Sequence, residues 1–290
     1  MAGNKENLSS YPTGVDLEHV WYQNDGLTLH AVSTGKGPLL VLLHGFPEFW
    51  YCWRHQLAPL AQHYRVVAAD LRGFNSSESP GSDDAYAMPR VARDVLALIR
   101  ALNEQQAIII AHDWGGYVAW HAALLGPQVI QGLITLSVPN PNAMGQALLR
   151  NADQRAASAY VKTLANKHAH TSLNLGQMLE HLPLDAHDRR LYLQAYARSG
   201  LEGPLGYYRM STASTDRLQL DLPAPIRCPV LAIHGSDDPY VTPDSYIKNE
   251  GMTAGDYRFE LINEAGHFLP REQAASVNPM ILDQLRSWQF

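Results

Sequence analysis

Cysteine is nearly absent from this chain: Cys52 and Cys228 are the only two in 290 residues. Two cysteines make no disulfide framework and have no metal-ligand spacing, which points to a reducing, cytoplasmic setting. Charge is also sparse, at 17% of residues, and the net charge of −6 carries no basic excess for nucleic acid or an anionic membrane surface. No apolar run is long enough to span a bilayer. The opening MAGNKENLSS lacks the apolar stretch of a secretory leader and reads as a loose tail. Internal repeats and low-complexity segments are missing too. Thirteen histidines raise the question of a metal, but no HExxH or facial-triad spacing occurs, so neither metal nor cofactor is assigned.

What remains is an apolar chain, 46% hydrophobic, long enough for one large domain or a core with an inserted subdomain. "PLLVLLHGF" (Pro38–Phe46) and "YRVVAADLRG" (Tyr64–Gly73) read as buried strands running into loops. "MPRVARDVLALIRALN" (Met88–Asn103) places Val91, Val95, Leu98 and Leu102 at helical steps. "AIIIAHD" and "VIQGLITLSVP" (Val129–Pro139) are further strands. Strand–helix alternation with continuously apolar strands predicts a parallel sheet covered on both faces. From about Asn140 to Leu222 the patterns are helical, until the prolines of "DLPAPIRCP". "VLAIHGSDDP" and "YRFELINEAGH" then restore the strand-and-loop rhythm, with a last helix from about Ala274.

The stretch IIIAHDWGGYVAWHAALLG (Ile108–Gly126) reads as an apolar strand, a sharp turn and an amphipathic helix, with Asp113 at the apex. A side chain held up at such a turn needs small neighbours two residues either side, and Ala111 and Gly115 supply them. The carboxylate would also sit at a helix N-terminus, where the dipole favours an anion. The ordinary alternative is an aspartate that merely caps the helix. The partners weigh against it. In the chain order of α/β hydrolases, a nucleophile is followed by an acid and then a histidine. Here Asp238 follows one strand and His267 follows the last, both where ligands bind in open α/β sheets. Asp237 is the rival acid; Asp238 is preferred because it stands three residues after Gly235, the usual spacing in this fold.

The segments "HGFPEFWYCWRHQ" (His44–Gln56), "HDWGGYVAW", "GYYR", "GSDDP" and "GHFLPRE" resemble an α/β-hydrolase-fold epoxide hydrolase, over nearly the whole chain from about Val20. The resemblance implies a mostly parallel central sheet flanked by helices. A helical cap at 140–221 would be inserted between core parts 1–139 and 222–290. It further implies attack of Asp113 on an epoxide carbon to give an alkyl-enzyme ester. Water activated by His267 would then hydrolyse that ester, with Asp238 orienting the imidazole. The backbone N–H groups of Phe46 and Trp114 would form the oxyanion hole, and losing one such donor costs roughly 3–4 kcal/mol. Phe46–Pro47 is a candidate cis bond.

A ring oxygen leaving as alkoxide needs a proton donor, and a phenol stays protonated at neutral pH. Tyr208, in "GYYR", matches one such family tyrosine by motif, and Tyr160 matches the other by position. After Tyr160 the chain departs from the pattern with "VKTLANKHAH", so His168 and His170 stand as alternatives. Phe46, Trp114, Tyr160, Tyr208 and Phe268 are the expected substrate contacts. Tyr207, His44 and His112 are expected to pack or hydrogen-bond structurally, and the aromatics of "FWYCWRH" to form core and pocket wall. "DLRGFNSSESP" is given no chemical role.

The expected partners are a small-molecule epoxide and water, with no nucleic acid or membrane; a homo-oligomer stays open. The rival reading is a haloalkane dehalogenase with the same Asp–His–Asp set. The tyrosine before Arg209 and the apolar Phe46 after the glycine favour the epoxide. Fluoroacetate dehalogenase is disfavoured because no arginine follows the nucleophile closely. A non-catalytic hydrolase-fold binding protein or receptor is disfavoured by the intact Asp-type set.

Overall fold

The structure is a computed structural model, and it describes residues 7–212, 222–246 and 250–290. The strands are β1 (Glu18–Asn24), β2 (Leu27–Thr34), β3 (Leu39–Leu43), β4 (Arg65–Ala69), β5 (Ala107–His112), β6 (Ile130–Leu136), β7 (Val230–Gly235) and β8 (Tyr257–Ile262). They form one sheet in the order β1-β2-β4-β3-β5-β6-β7-β8. β1 pairs antiparallel with β2 and β2 with β4, and every later pairing is parallel.

The apolar runs are continuous because both faces of the sheet are buried. Along β3, Leu39, Val41 and Leu43 join one hydrophobic cluster, while Leu40 and Leu42 join the other. β5 divides in the same way: Ile109 and Ala111 face one side, Ile108 and Ile110 the other. Helices α1 (Arg54–Ala61), α2 (Met88–Ala101) and α3 (Trp114–Leu125) cover the early strands. α2 buries Val91, Val95 and Leu98, as its spacing predicts, and ends at Ala101 with Leu102 as its C-cap. α3 departs from expectation. It is not amphipathic: every residue from Trp114 to Ala123 is buried. Val118 and Trp120 pack in the core cluster against the sheet, and the ring of Trp114 meets Tyr207 and Tyr208 from the later helices. A helix enclosed on all sides has no solvent stripe to show.

Between β6 and β7 the described residues form no strand. They form α4 (Pro141–Arg150), α5 (Ala152–Ala157), α6 (Tyr160–Leu164), α7 (Ala169–Ser172), α8 (Leu175–Glu180), α9 (Ala186–Ser199) and α10 (Glu202–Thr212). The expected end of this helical stretch, residues 213–221, lies outside the described residues. Asparagine and aspartate caps punctuate it: Asn140, Asn151, Asn174 and Asp185 each accept a backbone N–H at the start of their helices. The chain closes with α11 (Leu269–Glu272) and α12 (Ala274–Ser287), the latter burying Val277, Ile281 and Leu285.

The expected loose tail holds less of the chain than the sequence suggests. Residues 1–6 lie outside the described residues, but Leu8–Ser10 is a capped 3-10 turn. Tyr11 is buried against Phe49, Trp50 and Tyr51, and that aromatic contact anchors the turn. No helix among the described residues is long and apolar enough to cross a membrane. Cys52 and Cys228 are both free and buried.

Candidate active site

β5 delivers Asp113 into the turn with φ 50° and ψ −125°, and α3 begins at the next residue. That left-handed conformation is strained for a non-glycine residue, and it lifts the carboxylate off the strand. Two glycines make room. A Cβ on Gly115 would run into the carbonyls of Leu43 and His44, and one on Gly45 would run into the Asp113 carboxylate itself. Asp113 occupies the N-cap position of α3, yet its side chain makes no capping hydrogen bond. Its Oδ1 instead accepts the backbone N–H of Phe46 at 2.8 Å, across a loop whose Phe46–Pro47 bond is cis. The simple capping role is therefore not what this carboxylate does.

His267 lies in the loop between β8 and α11, and Asp238 in the loop after β7. Asp238 Oδ2 takes the His267 Nδ1 hydrogen at 2.7 Å, and its Oδ1 accepts the N–H groups of Tyr240 and Val241 at 2.8 and 3.0 Å. Those two backbone donors fix the carboxylate's orientation. Asp237 is exposed and bonds the Ser236 hydroxyl, so of the two rival acids Asp238 is the one that meets the imidazole. On the far side of the ring, His267 Nε2 stands 3.5 Å from Asp113 Oδ2.

The three charges perturb one another in a consistent direction. Burial alone would lower the His267 pKa, but Asp238, then Asp113, outweigh it and push the imidazole up to about 10. Burial alone would raise the Asp113 pKa, but hydrogen bonding and charge from His267, with His112 and the Phe46 N–H behind them, hold it below the usual carboxylate range. Asp238 is lowered by the same contest, with His267 the main opponent of burial.

A cavity of about 190 Å³ opens over Asp113 and His267. Tyr160 from α6 and Tyr208 from α10 both line it, as do Phe46 and Phe268. The Tyr208 ring packs edge-on against Trp114 and Phe46, with centroids 4.9 and 5.6 Å away, and lies 6.3 Å from the Tyr160 ring. Burial, with the Asp113 charge adding to it, raises both phenols well above their ordinary pKa. Both therefore keep their protons at neutral pH. His168 is exposed and His170 half-buried, and neither lines the cavity. Tyr207 is a packing residue as expected: it is fully buried and its hydroxyl donates to the Arg72 carbonyl. Trp114 is placed by its ring against Tyr208 rather than among the cavity-lining residues. A wider groove of about 840 Å³ runs past Leu148, Arg155 and Lys162, but it contains none of these groups.

Several cavity residues escaped the sequence reading. Tyr240 stacks edge-on against His267 at 5.0 Å and against Tyr160 at 5.2 Å. Its signal was available, two residues after Asp238. Leu164, Met178 and Leu182 form apolar wall, with His181 beside them, and nothing in the sequence separates these leucines from core.

The α/β-hydrolase-fold family matches residues 38–272. Epoxide hydrolase 4 of Mus musculus is 31% identical over 288 residues, covering 91% of this chain and 77% of its own. The chain belongs to the epoxide hydrolase family of α/β hydrolases. Another relative of this family member, the AB hydrolase superfamily protein YfhM of Bacillus subtilis, is also 31% identical and is covered over 99% of its length. Among solved structures, the Bacillus megaterium epoxide hydrolase in complex with an inhibitor superposes with a TM-score of 0.86 at 27% identity. That match covers 92% of this chain and 100% of the other. The epoxide hydrolase VrEH1 of Vigna radiata reaches 0.78 at 28% identity, over 93% and 98%.

Proposed function

We propose that this epoxide hydrolase family member converts an epoxide to a vicinal diol, without a cofactor, through an ester on Asp113. The observation that carries the reading is a carboxylate unused by its own helix, 3.5 Å from an imidazole that a second buried carboxylate holds. Asp113, ionised at neutral pH, attacks a ring carbon in line, and the C–O bond breaks as the new one forms. One of the two phenols, Tyr208 or Tyr160, gives the leaving oxygen its proton and becomes a phenolate, while the other donates it a hydrogen bond. His267 then takes a proton from water, the hydroxide adds to the Asp113 carbonyl carbon, and the oxyanion is held by the N–H groups of Phe46 and Trp114. Collapse expels the diol oxygen, which takes the proton from His267, and the second water proton returns to the phenolate as the Asp113 carboxylate is restored. In this reading the helical segment 140–221 is a cap on a core of 1–139 and 222–290. The cap carries both phenols, and the enzyme works in the cytoplasm on a small-molecule epoxide and water.

The cavity volume sets the substrate size. At about 190 Å³ it is below the roughly 300–1,000 Å³ usual for small-molecule pockets. Leu164, Met178, Leu182 and Phe268 make its wall apolar. That volume suits compact apolar epoxides better than long-chain ones. A panel of styrene oxide, an epoxidised C18 fatty acid and a bromoalkane tests this directly. Diol should form from styrene oxide with kcat/KM at least about 10-fold above the fatty epoxide, a ratio worth about 1.4 kcal/mol of transition-state binding. Bromide release without diol would replace the reading with the haloalkane dehalogenase.

The two phenols share one task, so their removal is not additive. Tyr208→Phe and Tyr160→Phe should each leave measurable diol formation. The double variant should lose about 10²–10⁴-fold in alkylation rate, the range of a general acid. Unchanged ester formation in the double variant would take both hydroxyls out of ring opening.

A further inference from the structure

We infer that His112, with Ser137, positions His267 through its backbone carbonyl, and that this holding is required for the water-activating half of the reaction. The inference rests on the ester scheme proposed above. His267 belongs to no helix or strand, and Asp238 fixes only its ring. Its carbonyl ties the loop to the ends of β5 and β6, while the Asp237 N–H on the Ala265 carbonyl and the Glu264 N–H on the Ser236 hydroxyl, both at 2.9 Å, tie it beside β7. The His267 oxygen accepts the Ser137 hydroxyl at 2.7 Å, from the end of β6, and His112 Nε2 at 2.9 Å, from the end of β5. A third contact, the Leu269 N–H at 2.9 Å, closes a turn from the loop into the start of α11. Because a carbonyl only accepts, His112 Nε2 carries a hydrogen, and Nδ1 carries one as well when the ring pairs with Glu48.

The other ring nitrogen explains why a histidine is used. His112 Nδ1 lies 3.2 Å from Glu48 Oε2, at ion-pair distance but without the alignment of a hydrogen bond. Glu48 Oε1 accepts from Arg271 Nη2 and from the Tyr192 hydroxyl. Burial would raise the Glu48 pKa; Arg271 and then His112 outweigh it and lower it to about 2. One buried carboxylate thus faces the residue before Asp113 on one side and α11, which follows the His267 loop, on the other. Glu48 itself follows Phe46 by two residues. Buried ion clusters of this kind are poor sources of stability, because desolvation offsets most of their attraction. Their use here is geometric: through His112, Glu48 ties the end of β5 to α11, the element that follows the base. His112 is a positioning residue and touches no reacting atom.

A merely structural residue would slow both half-reactions together, whereas this one should slow one. With styrene oxide under single-turnover conditions, rapid quench and intact-mass detection give the ester-forming and ester-hydrolysing rates separately. His112→Phe keeps a ring and loses both nitrogens. It should slow hydrolysis by about 10–100-fold, as expected for a displaced catalytic group, while alkylation stays within about 3-fold. His112→Gln, which retains a donor for the carbonyl, should recover most of the loss. Ser137→Ala should slow hydrolysis alone by a smaller factor, and it carries the test if His112→Phe fails to fold. Equal losses in both steps, or unchanged hydrolysis in Ser137→Ala and His112→Phe alike, overturn the inference. An adduct on His267→Gln with wild-type rates in the His112 variants overturns it and leaves the ester scheme standing. No adduct on any variant removes both.

Discussion

Asp113→Ala is expected to abolish diol formation, with kcat/KM for styrene oxide falling by roughly 10⁵–10⁶-fold, the loss seen when a covalent nucleophile is deleted. The size follows from the chemistry. Neither His267 nor a tyrosine can replace a carboxylate as the group that bonds to carbon. Water reaching the ring directly would lack the effective concentration of a side chain locked at a strained turn. The fold should survive the change, because the Asp113 side chain caps no helix; what it loses is the Phe46 N–H bond and the imidazole contact. A thermal melt close to wild type with no turnover separates chemistry from folding. Isotope placement sharpens the point. In ¹⁸O-water the first turnover should label the Asp113 carboxyl and leave the diol unlabelled, since the hydroxide adds to the ester carbonyl. Label entering the diol directly in that first turnover would sink the covalent scheme while sparing the family assignment.

How far the sequence alone reached depends on which signals are local. The Asp113 turn was legible because strain demands small residues at fixed offsets, and those offsets are written in the chain. Asp238 and His267 were legible as an order after strands. Spacing from Gly235 favoured Asp238 over Asp237, and in the fold Asp238 is the one whose carboxylate reaches the ring. The β1–β2 hairpin went unread although its turn is spelled out: Asp25 and Gly26 both hold positive φ, at 53° and 77°, as a type I′ turn requires. Its first strand has one fully buried residue, Tyr22, so a search for continuous apolar runs passed over it. α1 carries an internal proline, Pro59, and no clean apolar stripe. The Glu48–His112–Arg271 cluster has no sequence signature at all, because its members come from a loop, the end of β5 and α11 and meet only in the fold. The wall residues Leu164, Met178 and Leu182 share that fate.

His267→Gln should separate the two half-reactions, and its pH behaviour tests the electrostatics of the site. Ester formation needs the Asp113 anion and the phenols, so it should continue. Ester hydrolysis needs a base, so it should slow by about 10²–10⁴-fold, and an adduct on the Asp113 peptide should dominate the intact-mass spectrum under excess epoxide. The wild-type imidazole faces two carboxylates at rest, and they raise its pKa to about 10. The imidazolium is therefore the expected form of the free enzyme at neutral pH. Alkylation removes the Asp113 charge, and one of the two groups that favour the imidazolium disappears. The pKa of His267 must then fall toward the value that Asp238 and burial alone dictate, which frees a base at the step that requires one. The sign is fixed: the hydrolysis rate should rise with pH through a pKa below that of His267 in the free enzyme, while the alkylation rate shows no such rise. Imidazole titration by NMR on the free enzyme, set beside single-turnover pH profiles, measures both values. If the two coincide, Asp113 is not among the charges that hold the imidazole protonated, and the coupling between nucleophile and base is absent.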